Sequence, residues 1–244
     1  MKQYRDRKSI SCLLVLANLS LAAFAHAGDE QDRTATRLVE QFETNKVFWQ
    51  QFEIAKKLVI LGDTNVLPAV RMLLSQDDRH LRCNAAFVVA GLGHNDGFDV
   101  ISAVLTDRSD RVEGQGIPGG RWSVRSQIAA DRYYAAHMLA ELKDPRAISV
   151  LVPLLRDEEV NYKVAWALGE IADRRAIKPL MESLTDKNSD VRVLAIQALE
   201  KLGAEEALPK LRALLGDKEK AHFGDQLSVS EAAKTAIAKL EKKP

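Results

Sequence analysis

The sequence predicts an all-α fold: a right-handed α-solenoid of stacked helical hairpins, about five of them, ending in a C-terminal capping helix. Two ladders of apolar residues carry the prediction. The first runs Leu61, Leu92, Leu142, Ile171, Leu202 and Leu240, at gaps of 31, 50, 29, 31 and 38. The second runs Val70, Ile101, Leu151, Leu180 and Leu211, at gaps of 31, 50, 29 and 31. Two independent positions with the same gaps mark an internal repeat of about thirty residues. The third observation is the helical period inside each unit. Val160, Val164, Ala167, Leu168 and Ile171 share one face of a first helix, and Ala176, Ile177, Leu180 and Leu184 share one face of a second. No alternating apolar and polar run bounded by hairpin turns occurs, so no strand is predicted. A hairpin of about thirty residues cannot bury both apolar faces alone, and stacking on its neighbours is the physical solution.

From the N-terminus, residues 1–27 read as a secretory signal peptide. Lys2, Arg5, Arg7 and Lys8 precede the apolar run 10–25, which ends in Ala23-Phe24-Ala25 and Ala25-His26-Ala27. The run is short for a membrane span and is interrupted by Ser11, Asn18 and Ser20. Cleavage after Ala27 or Ala25 leads to a secreted or periplasmic protein with no membrane span left. Cleavage at Ala27 removes four bases and one acid, so the formal +1 of the whole chain becomes slightly negative. Cys12 leaves as well, and a single remaining thiol, Cys83, cannot form an internal disulfide. Cys83 reads as a small core residue.

Residues 28–40 are polar and read as a flexible N-terminal segment, followed by the repeat domain over 41–244. Val47, Phe48, Trp49 and Phe52 read as the aromatic packing of a first, atypical helix. In the fourth unit, Asp173 starts a tight turn where its carboxylate can accept free amide hydrogens. Pro179 falls in the opening turns of the second helix, where a missing amide donor is cheap, and Pro153 and Pro209 sit in comparable places. An insertion over 106–127 precedes the third unit. A shorter polar one, 217–228, reads as a solvated loop before the lysine-rich capping helix 229–240.

The residues that recur are Val191, Arg192 and Ala195; Ala167 to Gly169 and Ile171; Asp173, Arg175 to Ile177, Pro179 and Leu180; and a closing Asp186. This pattern resembles the short HEAT-like repeats of the phycobilisome-lyase type. The resemblance covers roughly residues 45–240. It is strongest in units four and five and looser in units one and two, where Val66 and Gly97 take the Ala176 position. It implies an armadillo-type α-solenoid and specifies fold better than function, because such repeats serve in scaffolds, adaptors and a few enzymes.

Composition excludes several function classes. Apolar residues at 46% and charged residues at 28% describe an ordinary globular chain. With 35 Lys+Arg against 34 Asp+Glu there is no basic excess for nucleic acid. The enzymes that the resemblance implies are not matched. A deoxyhypusine hydroxylase of this repeat shape holds its iron with paired His-Glu steps, and the five histidines here are followed by Ala27, Leu81, Asn95, Met138 and Phe223. For a chromophore lyase only the generic packing residues match, and export fits poorly with pigment attachment in the cytosol. Gly114-x-Gly116-x-x-Gly119 is preceded by Asp110, Arg111 and Glu113 and interrupted by Pro118, so it lacks the strand that a dinucleotide fingerprint needs. His94 and His137 read as helix-end and packing residues. The acidic pairs Asp77-Asp78, Glu158-Glu159 and Glu205-Glu206 read as helix starts. No catalytic residue, metal ligand or cofactor is expected.

The candidate interaction site is the Gly- and Arg-rich insertion with the start of the next helix: Arg111, Arg121, Trp122, Arg125, Arg132 and Tyr133. An aromatic anchor beside bidentate donors is a common hot-spot composition. Two readings of the insertion stand, a partner-binding loop and a mobile segment whose tryptophan folds back. Two functional readings stand as well. One is an exported, non-catalytic scaffold or adaptor that holds a partner protein on its mildly basic second helices, which mix Arg71, Asp99, Arg146, Arg156, Arg174, Arg175, Lys178, Glu182, Lys210 and Arg212. The other is an accessory subunit or enzyme acting on a small molecule or envelope polymer at the 106–127 loop, with Tyr134 beside Arg132 and Tyr133.

Overall fold

The computed structural model describes residues 32–109, 124–223 and 226–242. Five helical hairpins follow one another as the ladders require. They are α2 (Phe48–Leu61) with α3 (Leu67–Met72), α4 (Arg79–Gly91) with α5 (Asn95–Thr106), α6 (Val124–Leu142) with α7 (Ala147–Leu151), α8 (Asn161–Ile171) with α9 (Ile177–Ser183), and α10 (Ser189–Lys201) with α11 (Leu208–Ala213). The single helix α12 (Val229–Leu240) ends the array. First helices stack on first helices: α2 on α4, α4 on α6, α6 on α8, α8 on α10 and α10 on α12. Each residue of the second ladder, Val70, Ile101, Leu151, Leu180 and Leu211, is fully buried. One apolar cluster runs from Ala35 to Leu240, so the chain has a single elongated core and is an α-solenoid.

The corners between paired helices repeat as strictly as the ladders. The chain turns through a left-handed residue at Gly62, Gly93, Lys143, Ala172 and Gly203, with φ between 52° and 89°. Such a residue ends a helix by turning the backbone so that orphan carbonyls find donors, and glycine adopts it without a steric penalty. Units three and four reach the same conformation with Lys143 and Ala172. The carboxylate of Asp173 accepts the Arg175 amide at 2.9 Å, as predicted, and Asp63 and Asp144 do the same for Asn65 and Arg146. Asp78 caps α4, Asn188 caps α10, and Ser228 with Glu231 forms a reciprocal capping box on α12.

A third ladder closes the repeats from within. Arg132 donates to Asp157, Asn161 to Asp186 at 3.4 Å and Arg192 to Asp217 at 3.0 Å, each pair 25 residues apart. In every case a buried side chain on the first helix clasps the aspartate that follows its own second helix. Unit two makes the clasp from a different position, with Arg79 reaching Asp107 at 2.8 Å.

Two segments differ from the sequence expectation. The lead-in expected to be flexible over 28–40 is helical from residue 32, forming α1 (32–44). Ala35, Leu38, Val39 and Phe42 fall at helical spacing, and Ala35 and Phe42 are buried in the core, which is what orders a segment of polar appearance. The insertion before α12, expected to be a solvated loop, is zipped at its base by an antiparallel bridge from Lys220 to Ser228. Ala221 is buried there and donates to the Leu227 carbonyl at 3.0 Å. The predicted signal peptide, with Cys12, lies outside the described residues.

Candidate functional site

The first helices of units one, three and four carry aromatic residues one helical turn apart, and stacking brings them into one row with the His80 ring of unit two. Phe48, Trp49 and Phe52 project from α2, His80 from α4, Tyr133, Tyr134 and His137 from α6, and Tyr162 and Trp166 from α8. Trp49 crosses over α4 to meet Tyr134 edge-on at 5.0 Å and His137 at 5.4 Å. Phe48 stacks on Tyr134 at 4.0 Å, and His137 stacks on Trp166 at 5.0 Å and 7°. Tyr133 faces Tyr162 at 6.1 Å. Aromatic pairs at these separations add stabilisation beyond their buried area. Trp49 nevertheless remains 42% exposed, with Val47 beside it at 53%.

Lys163 of α8 lies inside this row. Its side chain is buried and its Nζ sits 3.4 Å from the Trp166 ring centre and 4.5 Å from that of Tyr133. The ammonium donates to His137 Nδ1 at 2.9 Å. Burial pushes Lys163 down to about 8, against the opposing fields of Glu141 and Glu170. His137 is pushed down to about 4, first by burial and then by the charges of Lys163 and Lys56. At neutral pH the imidazole is therefore a neutral acceptor. Burial also raises the phenols of Tyr133, Tyr134 and Tyr162.

Of the nominated residues, Tyr133 belongs to this row. Arg132 does not face a partner. It is 1% exposed, and its guanidinium is committed to the Leu105 carbonyl at 2.8 Å, to Glu159 at 3.1 Å and to Asp157. Burial works to raise the Asp157 carboxyl, but the Arg132 hydrogen bond and charge outweigh it and hold the group below its ordinary range. Arg111, Arg121 and Trp122 lie outside the described residues, as does the side chain of Arg125. The start of the insertion is anchored. Ser109 accepts from Arg79 through its carbonyl at 3.0 Å and its hydroxyl at 2.8 Å, and Arg108 pairs with Asp157.

The second helices offer less free charge than their composition promises. Arg71 pairs with Asp96, Arg146 with Asp144, Arg174 with Glu206, Arg175 with Asp173 and Arg212 with Glu241. Lys210 donates to the Met181 carbonyl. Between α7 and α9 an open cleft of about 520 Å³ is lined by Pro153, Arg156, Pro179, Glu182 and Asp186 among others. Glu159 lies in the turn before α8, where it pairs with Arg132. Cys83 is buried as expected, and burial pushes its thiol up. Among the described residues no group of three metal-ligating side chains forms, and no helix is long and apolar enough to cross a membrane.

Sequence reasoning passed over Lys163, Trp166 and the contact between Trp49 and Tyr134. A signal was present: Tyr133 with His137, and Tyr162 with Trp166, each four residues apart, put large rings on one helical face.

A family model of HEAT repeats matches over residues 124–185 and 156–222, which covers units three to five. The chain is similar in structure to the complex of CpcE and CpcF of phycocyanin lyase from Nostoc sp. PCC7120. That similarity has a TM-score of 0.50 at 24% identity and covers 73% of this chain and 66% of that one, just under two thirds of its length. It is also similar to an engineered protein, with a TM-score of 0.46 at 20% identity over 85% of this chain and 96% of that one. A designed armadillo repeat protein gives 0.44 at 18% identity, over 84% and 98%. No curated protein matches the sequence.

Proposed function

Because residues 124–222 of this chain are HEAT repeats, we propose that it is an exported, non-catalytic adaptor that holds a partner protein against the aromatic face of its first helices. The observation that carries this reading is Trp49. It stands 42% exposed at the edge of a packed aromatic row that spans four units, beside the exposed Val47. Tryptophan and tyrosine at the rim of a rigid surface supply large contact area at little entropic cost, and they dominate binding hot spots. The second-helix surface expected for this role is a weaker choice, because most of its arginines already pair with carboxylates or carbonyls. The similarity to a structure described as a complex of two phycocyanin-lyase chains is in keeping with a protein partner.

The test is capture from an envelope extract by the immobilised protein. Trp49→Ser should reduce capture at least tenfold, whereas Met72→Ser, at a still more exposed apolar site on the second-helix side, should leave it unchanged. Equal capture by wild type and Trp49→Ser, with helical circular dichroism intact, overturns the proposed surface.

A further inference from the structure

Among the described residues, several lysines meet carboxylates at the surface: Lys56 with Glu53, Lys187 with Glu158, Lys201 with Glu170 and Lys239 with Glu200. Lys163 is different. It is 7% exposed, and among the described residues no carboxylate lies within ion-pair distance of it. Its one hydrogen bond goes to His137, and two aromatic rings occupy the rest of its surroundings at 3.4 and 4.5 Å. An amine desolvated between rings and beside a neutral imidazole has the environment that makes lysine a nucleophile.

We propose that Lys163 is a carbonyl-capturing amine, which forms a reversible imine with an uncharged aromatic aldehyde seated against Tyr133 and Trp166. The Nζ lone pair adds to the carbonyl carbon and the C–N bond forms. The C–O bond then breaks, and the oxygen leaves as water with both amine hydrogens. No oxidant or reductant is needed. The ligand is uncharged because Glu141 on α6 and Glu170 on α8 flank the amine and repel a carboxylate. It is aromatic because the rings around the amine favour stacking over hydrogen bonding. Lys56 on α2 adds positive charge on the His137 side and helps keep the imidazole neutral. With Lys163 held near 8, about one amine in ten is free at pH 7, against about one in three thousand for an exposed lysine. This inference does not rest on the adaptor reading.

The test uses the wild-type protein, benzaldehyde as the probe and sodium cyanoborohydride to trap the imine, with peptide mass spectrometry to place the adduct. At pH 7 Lys163 should be benzylated at least tenfold faster than the exposed Lys57 in the same sample. Lys163→Arg should lose this fast adduct and keep the slow ones. An adduct at Lys163 that forms no faster than at Lys57, or none at all, overturns the proposal. The main comparison is internal to the wild type, so a poorly folded variant does not affect it.

Discussion

Arg132 reaches from the first helix of the third repeat to Asp157, the aspartate that follows the second helix of that repeat, and both side chains are buried. The guanidinium also satisfies the Leu105 carbonyl of the preceding unit, so one residue closes its own hairpin and fastens it to a neighbour. Removing one partner of such a pair leaves an uncompensated buried charge. Arg132→Ala is expected to lower stability by about 3 kcal/mol or more in urea unfolding. The double variant Arg132→Met with Asp157→Leu should lose clearly less than the two single losses combined. Strict additivity would mean that the two groups are not coupled.

His137 gives the fold a pH dependence of definite sign. Its folded value of about 4 lies below that of an unfolded imidazole, so the unfolded chain takes up the proton first as pH falls. The corresponding stability is present above about pH 6.5 and is lost on the way down to pH 4, amounting to about 2–3 kcal/mol. Comparing urea midpoints of wild type and His137→Gln at pH 4.5, 5.5 and 7 isolates this part from the carboxylates. Parallel curves for the two proteins would contradict it.

Ala172 holds the left-handed corner that glycine holds in three other units. Ala172→Gly should therefore stabilise the protein, by about 0.5–1 kcal/mol, which is unusual for a mutation to glycine. A rise in melting temperature is the readout.

Gly97 stands where the recurring pattern has Ala176, yet restoring alanine there should do damage. A β-carbon on Gly97 would lie 2.3 Å from the Ala86 carbonyl oxygen and 2.4 Å from the Ala90 nitrogen, both backbone atoms of α4. Main chain cannot swing aside as a side chain can. Gly97→Ala is expected to cost about 3 kcal/mol, at the upper end for overpacking, and a neutral result in thermal melts would show that α4 and α5 separate readily.

Export is testable without a partner. Residues 1–40 fused to a reporter that folds only outside the cytoplasm should give an active reporter, and the secreted product should begin at Gly28 or His26. Arg5→Glu with Arg7→Glu should lower the yield, because the leader needs its positive start. Retention of the uncleaved fusion in the cytoplasm would contradict the expectation.

Much of the fold was legible because burial in a solenoid recurs at fixed spacing. Val70, Ile101, Leu151, Leu180 and Leu211 announced themselves as core by type and interval together. The corner residues were hidden, because Lys143 and Ala172 share a conformation with three glycines but no chemistry. The aspartates of the third ladder were visible only as unit endings. What they hold is set by a partner 25 residues earlier in the chain, so the buried pairing of Arg132 was not legible. The aromatic row was the least legible feature. Trp49, Tyr134 and Trp166 sit in three different units, and they meet because the rings of α2 reach past α4 to those of α6.

The 25-residue clasp also works as a ruler. It measures each of the last three units from the tenth residue before the first-ladder position to the fifteenth after it, and the chain is free only outside the measured spans. Both long insertions lie outside them, one ahead of residue 132 and the other from residue 217 onward. A length change inside 132–157 would pull a buried arginine off its aspartate, whereas duplicating 161–191 would add one complete, self-closing unit. The array is thus a tape that can be cut and lengthened at its joints, and copying errors there yield taller proteins of the same design.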